Sequence, residues 1–150
     1  MKNIADHLAL IAITLWVGSL WAIGYVAAPT LFAALPDKML AGMLAGRMFG
    51  LVAYIGMGCA AYLLLYRLFR DGGTALKQAF FWLVLVMGAL TVAGHFGIHP
   101  VLEALKAQAL PKDVMQSIFK SRFVAWHGIS SIVYLVQSLL GLALVLRRAR

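Results

Sequence analysis

The sequence predicts an all-α fold: four transmembrane helices in one bundle, with a short amphipathic helix before the second span and a helical outer loop between the third and fourth. Composition is the first reason, because 63% of the side chains are hydrophobic and only 12% are charged, with a mean hydropathy of +0.91, far from the balance of a soluble domain. The second is patterning. Charged residues bracket four long uncharged stretches, Leu8 to Ala28, Met48 to Tyr66, Gln78 to Leu102 and Phe123 to Leu146, and each meets the roughly 20 apolar residues that a membrane crossing requires. The third is a backbone argument: lipid offers no hydrogen-bond partners, so only helices or closed barrels cross it. The spans fall at about residues 4–30, 46–68, 77–100 and 122–147 of a single integral domain, residues 1–150.

The first stretch is far longer than the ~7–15 apolar residues of a signal peptide, and Lys2 is its sole basic side chain, so it reads as a retained helix. Pro36 and Asp37 mark a helix entry, followed by Met39, Leu40, Met43 and Leu44 at helical spacing, which predicts an outer amphipathic helix leading into the second span. Gly42, Gly46 and Gly50 recur every fourth residue and line one face. Such a stripe lets another helix approach closely, either within the chain or from a second copy in a homo-oligomer. Gly56, Gly58 and Ala60 continue the supply of small residues. Pro100 predicts a bend after His99, and Val101, Leu102, Leu105 and Ala109 suit a helix lying over the bundle end.

In the fourth span Ser130, Ser131, Tyr134, Gln137 and Ser138 form a polar stripe, expected to face the interior because hydroxyls and amides are costly against lipid. Trp82 and Trp126 fit the membrane interfaces, whereas Trp16 and Trp21 are expected between helices. Cys59 is the single cysteine, which leaves it as a small packing residue without disulfide chemistry.

The net charge of +8 sits at helix ends rather than along one face, which excludes a nucleic-acid surface and points to the lipid bilayer as the partner. With a cytoplasmic N-terminus, Lys2, Arg67, Arg70, Lys77, Arg147, Arg148 and Arg150 lie inside, seven basic residues against six outside. Their placement in the short loop "YRLFRDGGTALK" and in the terminal "RRAR" favours N-in and C-in in a bacterial inner membrane.

This orientation gathers the intramembrane ionisable residues at the outer end. His95 and His99 are one helical turn apart and His127 opens the facing span, so the three imidazoles are candidate ligands of one metal ion with an open position. Met39 and Met43 fall on the same side, and thioether with imidazole suits copper(I). The plainer reading keeps these histidines as interfacial residues bonded to backbone or headgroups. Haem b is a third, with His95 or His99 and His127 as axial ligands and Phe96, Phe123 and Trp126 as walls; a closely packed glycine-rich second helix ranks it below copper. Arg47 and Glu103 are expected to meet as an ion pair at the outer boundary. His7 and Asp6 mark the inner edge of the first span.

The segments "LWVGSLW" (15–21), "APTLFAALP" (28–36), "AGRMF" (45–49), "HPVLEALK" (99–106) and "WHGISS" (126–131), in this order, resemble the transmembrane-protein-205-like family, catalogued as domain of unknown function 4149. The resemblance implies a small four-helix membrane protein and leaves its chemistry open. More distantly the chain is similar to copper-resistance-D-like proteins and to haem-associated protoporphyrinogen oxidases, a fold-level likeness that carries little functional weight. Tyr134 stands near where relatives carry an Asn. No catalytic constellation is visible in the sequence: it has no phosphate-binding glycine loop, no carboxylate pair within the bundle and no nucleophile triad. The leading expectation is a non-enzymatic membrane protein that binds a metal ion at its outer face; the others are a haem-binding redox protein and a structural protein without ligand.

Overall fold

In a computed structural model, residues 3–148 are described, all-helical and without a strand among them. Lys2 and Arg150, which enter the charge count, lie outside the described residues. Four long helices follow one another: α1, Ile4–Ala34; α2, Lys38–Asp71; α3, Ala79–Ala109; and α4, Lys120–Arg148. All four are long and apolar enough to cross a membrane, and the chain is an integral membrane protein. Each helix packs on two others, α1 on α2, α2 on α3, α3 on α4 and α4 back on α1, closing an up-down-up-down ring.

The helices run further than the apolar stretches require. At about 1.5 Å per residue, the 31 residues of α1 or α3 reach about 46 Å, against a hydrocarbon core of ~30 Å. The surplus lies at the end away from the N-terminus, where the α1, α2 and α3 extensions form a helical crown. A second apolar cluster, Leu105, Ala109 and Val114 with Phe119, Phe123 and Trp126 against it, ties the end of α3 to the connection that follows and to the start of α4.

Two expectations about this end are corrected. The amphipathic segment 38–47 is not a separate helix but the first turns of α2, which begins where Asp37 caps it by accepting from the backbone N–H of Met39 (2.9 Å) and Leu40 (3.1 Å). No proline interrupts residues 38–71, so nothing ends the helix between them. Likewise the segment after Pro100 does not fold back over the bundle, because α3 widens into a π-helical turn, Gly94–Ile98, and continues to Ala109. The His99 N–H reaches five residues back to the Gly94 carbonyl, and Pro100 then sits in the first turn of the resumed α-helix, where its missing N–H is tolerated.

α1 uses the same device. Its π-helical turn spans Ile23–Ala27, the Ala28 N–H donates to the Ile23 carbonyl, and Pro29 follows. One constant offset relates both prolines and both π turns, and it also pairs the buried Ala9, Ile13, Trp16 and Leu20 of α1 with the buried Phe80, Val84, Met87 and Thr91 of α3. The two odd-numbered helices are thus variants of one design, packed through equivalent positions.

The main core lies between the helices at mid-depth, around Trp16, Ile13, Leu63, Val84, Met87 and Leu144. Glycines set the spacing there: a Cβ at Gly56 would meet the Trp16 indole at 2.5 Å, and one at Gly88 would meet Ala60 Cβ at 3.1 Å. Cys59 is buried in this core, whereas Trp21, expected between helices, is exposed and packs on Tyr25 of its own helix. At the N-terminal end the charges are tied together. Asp6 accepts from the Tyr66 hydroxyl and from Arg70, Arg67 pairs with Asp71 at 3.2 Å, and Gln78 donates to Asp71 at 2.9 Å. Asp6 therefore locks α1 to α2 rather than merely marking the membrane edge.

Candidate functional site

Arg47 and Arg67 bracket about 30 Å of α2, one hydrocarbon thickness, so Arg47 stands at the boundary of the apolar zone away from the N-terminus. There α3 turns His95, His99 and Glu103, each one turn after the last, toward the glycine face of α2. The fit is stepwise. Gly50 faces His95, whose Cε1 would lie 3.9 Å from an added Cβ; Gly46 faces His99 (Cε1, 3.6 Å) and Glu103 (Oε1, 3.3 Å). Lys106 reaches over the same face to the Gly42 carbonyl at 3.5 Å, and Phe32 of α1 approaches Gly42 from the other side at 3.9 Å. Side chains of α3 and α1 reach the glycine stripe from within the chain, and the stripe stays partly exposed.

Between these helices lies a cleft of about 250 Å³ lined by Met43, Gly46, Arg47, Gly50, His99 and Glu103. The His95 and His99 rings stack at 5.9 Å with only 11° between their planes. His95 is further caged edge-on by Tyr54 of α2 at 4.7 Å and by Phe96 at 4.8 Å, so its imidazole is held by aromatic contacts on several sides.

The structure separates residues that the sequence grouped. Glu103 does not pair with Arg47; it pairs with Lys106 at 2.8 Å, because one helical turn on the same helix brings that ammonium alongside. Arg47 is exposed, lines the cleft, and enters none of the ion pairs among the described residues. His127 is exposed on α4 and stacks on Phe123 of its own helix at 5.7 Å. Among the described residues no group of three or more His, Cys, Asp or Glu side chains is placed to hold a metal ion, so His95, His99 and His127 do not gather at one point. Of the two methionines, Met43 lines the cleft and Met39 does not.

The polar stripe of α4 is built differently from the cleft. Tyr134, Gln137 and Ser138 face the interior and bond to α1 and α3: the Gln137 amide donates to the Met87 carbonyl at 3.2 Å and to the Thr91 hydroxyl, and Tyr25 donates to Ser138 at 3.0 Å. Ser131 instead bonds back to the His127 carbonyl at 2.9 Å. These side chains join helices. Sequence reasoning missed the Lys106 contact and the Gln137–Thr91 bond; the one-turn spacing of Glu103 and Lys106 was the available signal for the first.

Fold and site together define a small polytopic membrane protein with a polar cleft at one boundary of its apolar zone. The chain belongs to the family described as domain of unknown function (DUF4149), whose model matches residues 11–111. The match takes in the whole of α2 and α3, and α1 from Ile11 onward, hence every residue lining the cleft, and stops before α4. No curated protein and no solved structure matches the chain.

Proposed function

We propose that this protein takes one soft metal ion, copper(I) by preference, in the cleft between α2 and α3, with His95 and His99 as imidazole donors and Met43 as a thioether donor. The observation that carries the reading is the stacked His95–His99 pair at 5.9 Å, one member of which lines the same cleft as Met43. Ligand chemistry then selects the ion. The only carboxylate lining the cleft, Glu103, is already engaged by Lys106, so imidazole and thioether remain, the set that favours copper(I) over magnesium or calcium.

In this reading the protein is a transmembrane-protein-205-like protein of a bacterial inner membrane, with both termini cytoplasmic and the cleft facing outward. The basic residues Arg67 and Arg70 at the end of α2 and Lys77 in the short connection to α3 support that orientation. The distant four-helix likeness to copper-resistance-D-like proteins adds only a fold-level argument.

The test is an anaerobic copper(I) titration of detergent-purified protein against a chromogenic chelator. Wild type is expected to retain one copper per chain. His95→Ala with His99→Ala abolishes retention, Met43→Leu weakens it by about ten-fold or more, and His127→Ala leaves it unchanged. A wild type that retains no copper, or a His127→Ala variant that loses it, overturns the proposal, and the cleft is then a helix-packing feature of a structural protein. A Soret band on the purified protein would favour haem instead.

A further inference from the structure

A second cleft, of about 490 Å³, opens between α3 and α4 at the N-terminal end of the bundle, and its lining includes Lys77, Trp82, Leu83, Val86, Leu140 and Arg147. Its character is divided along its length. The wall is apolar, with Trp82 and Val86 exposed at 52% and 44% on a surface that the bilayer covers. At the mouth stand two cations. Lys77 closes the turn before α3 and Arg147 ends the described side chains of α4, and neither enters an ion pair among the described residues. Their neighbours differ: Arg67 and Arg70 are engaged by Asp71 and Asp6. Among the described side chains, two unpaired cations of this end therefore stand where the apolar groove begins.

Trp82 makes the groove specific in shape. Its indole N–H donates to the Leu76 carbonyl at 2.9 Å, so its polar atom is satisfied by the chain's own backbone. Phe81 braces it edge-on at 6.1 Å. The exposed ring face is left as a fixed apolar wall that needs no partner for its nitrogen.

We propose that this cleft binds one anionic phospholipid, with the phosphate at Lys77 and Arg147 and an acyl chain along Trp82, Leu83, Val86 and Leu140. Charge complementarity chooses the occupant. Basic pockets between helix ends take anionic headgroups; a zwitterionic lipid brings its own cation toward the same two side chains, and free phosphate leaves the apolar wall uncovered. The site is independent of the outer cleft and stands or falls without it.

The experiment is native mass spectrometry of the full chain in a non-ionic detergent, titrated with phosphatidylglycerol or phosphatidylcholine. One phosphatidylglycerol is expected to be retained in preference to phosphatidylcholine. Lys77→Gln with Arg147→Gln lowers that retention by about ten-fold or more, while the charge-matched Lys112→Gln with Lys120→Gln at the other end does not. Excess inorganic phosphate leaves the lipid bound. Equal retention of both lipids, equal loss in the control variant, or full displacement by inorganic phosphate overturns the proposal. A second measurement does not depend on how the charge variant folds: phosphatidylglycerol with brominated acyl chains quenches wild-type tryptophan fluorescence more than that of Trp82→Phe, and equal quenching overturns the acyl-chain placement.

Discussion

Tyr134 of α4 donates its hydroxyl to the Leu20 carbonyl of α1 at 2.6 Å, and its ring occupies the space that a side chain at Gly24 would need. A Cβ at Gly24 would lie 2.3 Å from the ring. The pair sits where α1 widens into its π-helical turn, so a glycine in one helix and an aromatic in the facing one fix the α1–α4 approach. Gly24→Ala is expected to lower stability by ~1–3 kcal/mol through overpacking, and Tyr134→Phe by about 1 kcal/mol through the lost interhelical bond. Thermal unfolding in detergent checks both, and a Gly24→Ala midpoint equal to wild type would sink the assignment.

The contact between Trp16 and Gly56 makes a second case. Trp16 is fully buried, and its Nε1 has no hydrogen-bond partner, with Gly56 close enough that a Cβ there would stand 2.5 Å from that nitrogen. Trp16→Phe removes an unsatisfied donor along with ring volume, so its cost should fall below the ~3–5 kcal/mol of a truncation to alanine. Gly56→Ala should destabilise wild type by about 1–3 kcal/mol but the Trp16→Phe background by less. A double-mutant cycle on the unfolding midpoint reads the coupling; strict additivity would mean that the two side chains do not compete for the same space.

How far the sequence reached depends on which physics governs each element. Long apolar runs between charges left few alternatives to membrane helices, and the interior-facing Gln137 followed from the cost of an amide in lipid. The π turns are not legible in the sequence, because a single widened turn leaves hydropathy unchanged; of the paired signals, Pro29 and Pro100 at matched positions in α1 and α3, only Pro100 enters the sequence reading, as a local bend. The histidines show the limit of helical arithmetic. His127 is placed at a similar depth to His95 and His99 by residue rise alone, but rise fixes depth and not contact: His127 shares the α4 face of Tyr134 and Ser138, yet at this end of the helix it is exposed and stacks on Phe123 of its own helix.

Gln137 lies midway along α4 between His127 and Arg147, near the centre of the apolar zone, and joins α4 to α3 through Met87 and Thr91. Thr91 keeps its own bond to the Met87 carbonyl at 2.9 Å when the amide is removed. Gln137→Leu is accordingly expected to cost only ~1 kcal/mol. Gln137→Glu is expected to cost about 3 kcal/mol, the order of a charge at mid-membrane. Folded yield and unfolding midpoint of the two variants test this order, and a Leu variant worse than the Glu variant would contradict it.

Gly46 and Lys106 are the positions that test the copper site proposed for the cleft. Gly46→Ala places a methyl group 3.3 Å from Glu103 Oε1, the far end of a side chain that is 44% exposed and free to shift, so the bundle should tolerate it. Gly46→Leu fills the cleft and is expected to abolish copper retention. The oligomeric state should not change, since side chains of α3 and α1 already reach the stripe; light scattering in detergent checks that, and a changed oligomer would return the stripe to a second copy. Lys106→Gln acts in the opposite sense. It removes the ammonium 2.8 Å from Glu103 and frees a carboxylate beside His99, adding a hard oxygen donor to an imidazole. Zinc affinity should then rise several-fold while copper(I) affinity changes little, because the oxygen favours the harder ion. Competition titrations with the two metals read the ratio directly, and a ratio unmoved by Lys106→Gln would mean that Glu103 does not face the ligand.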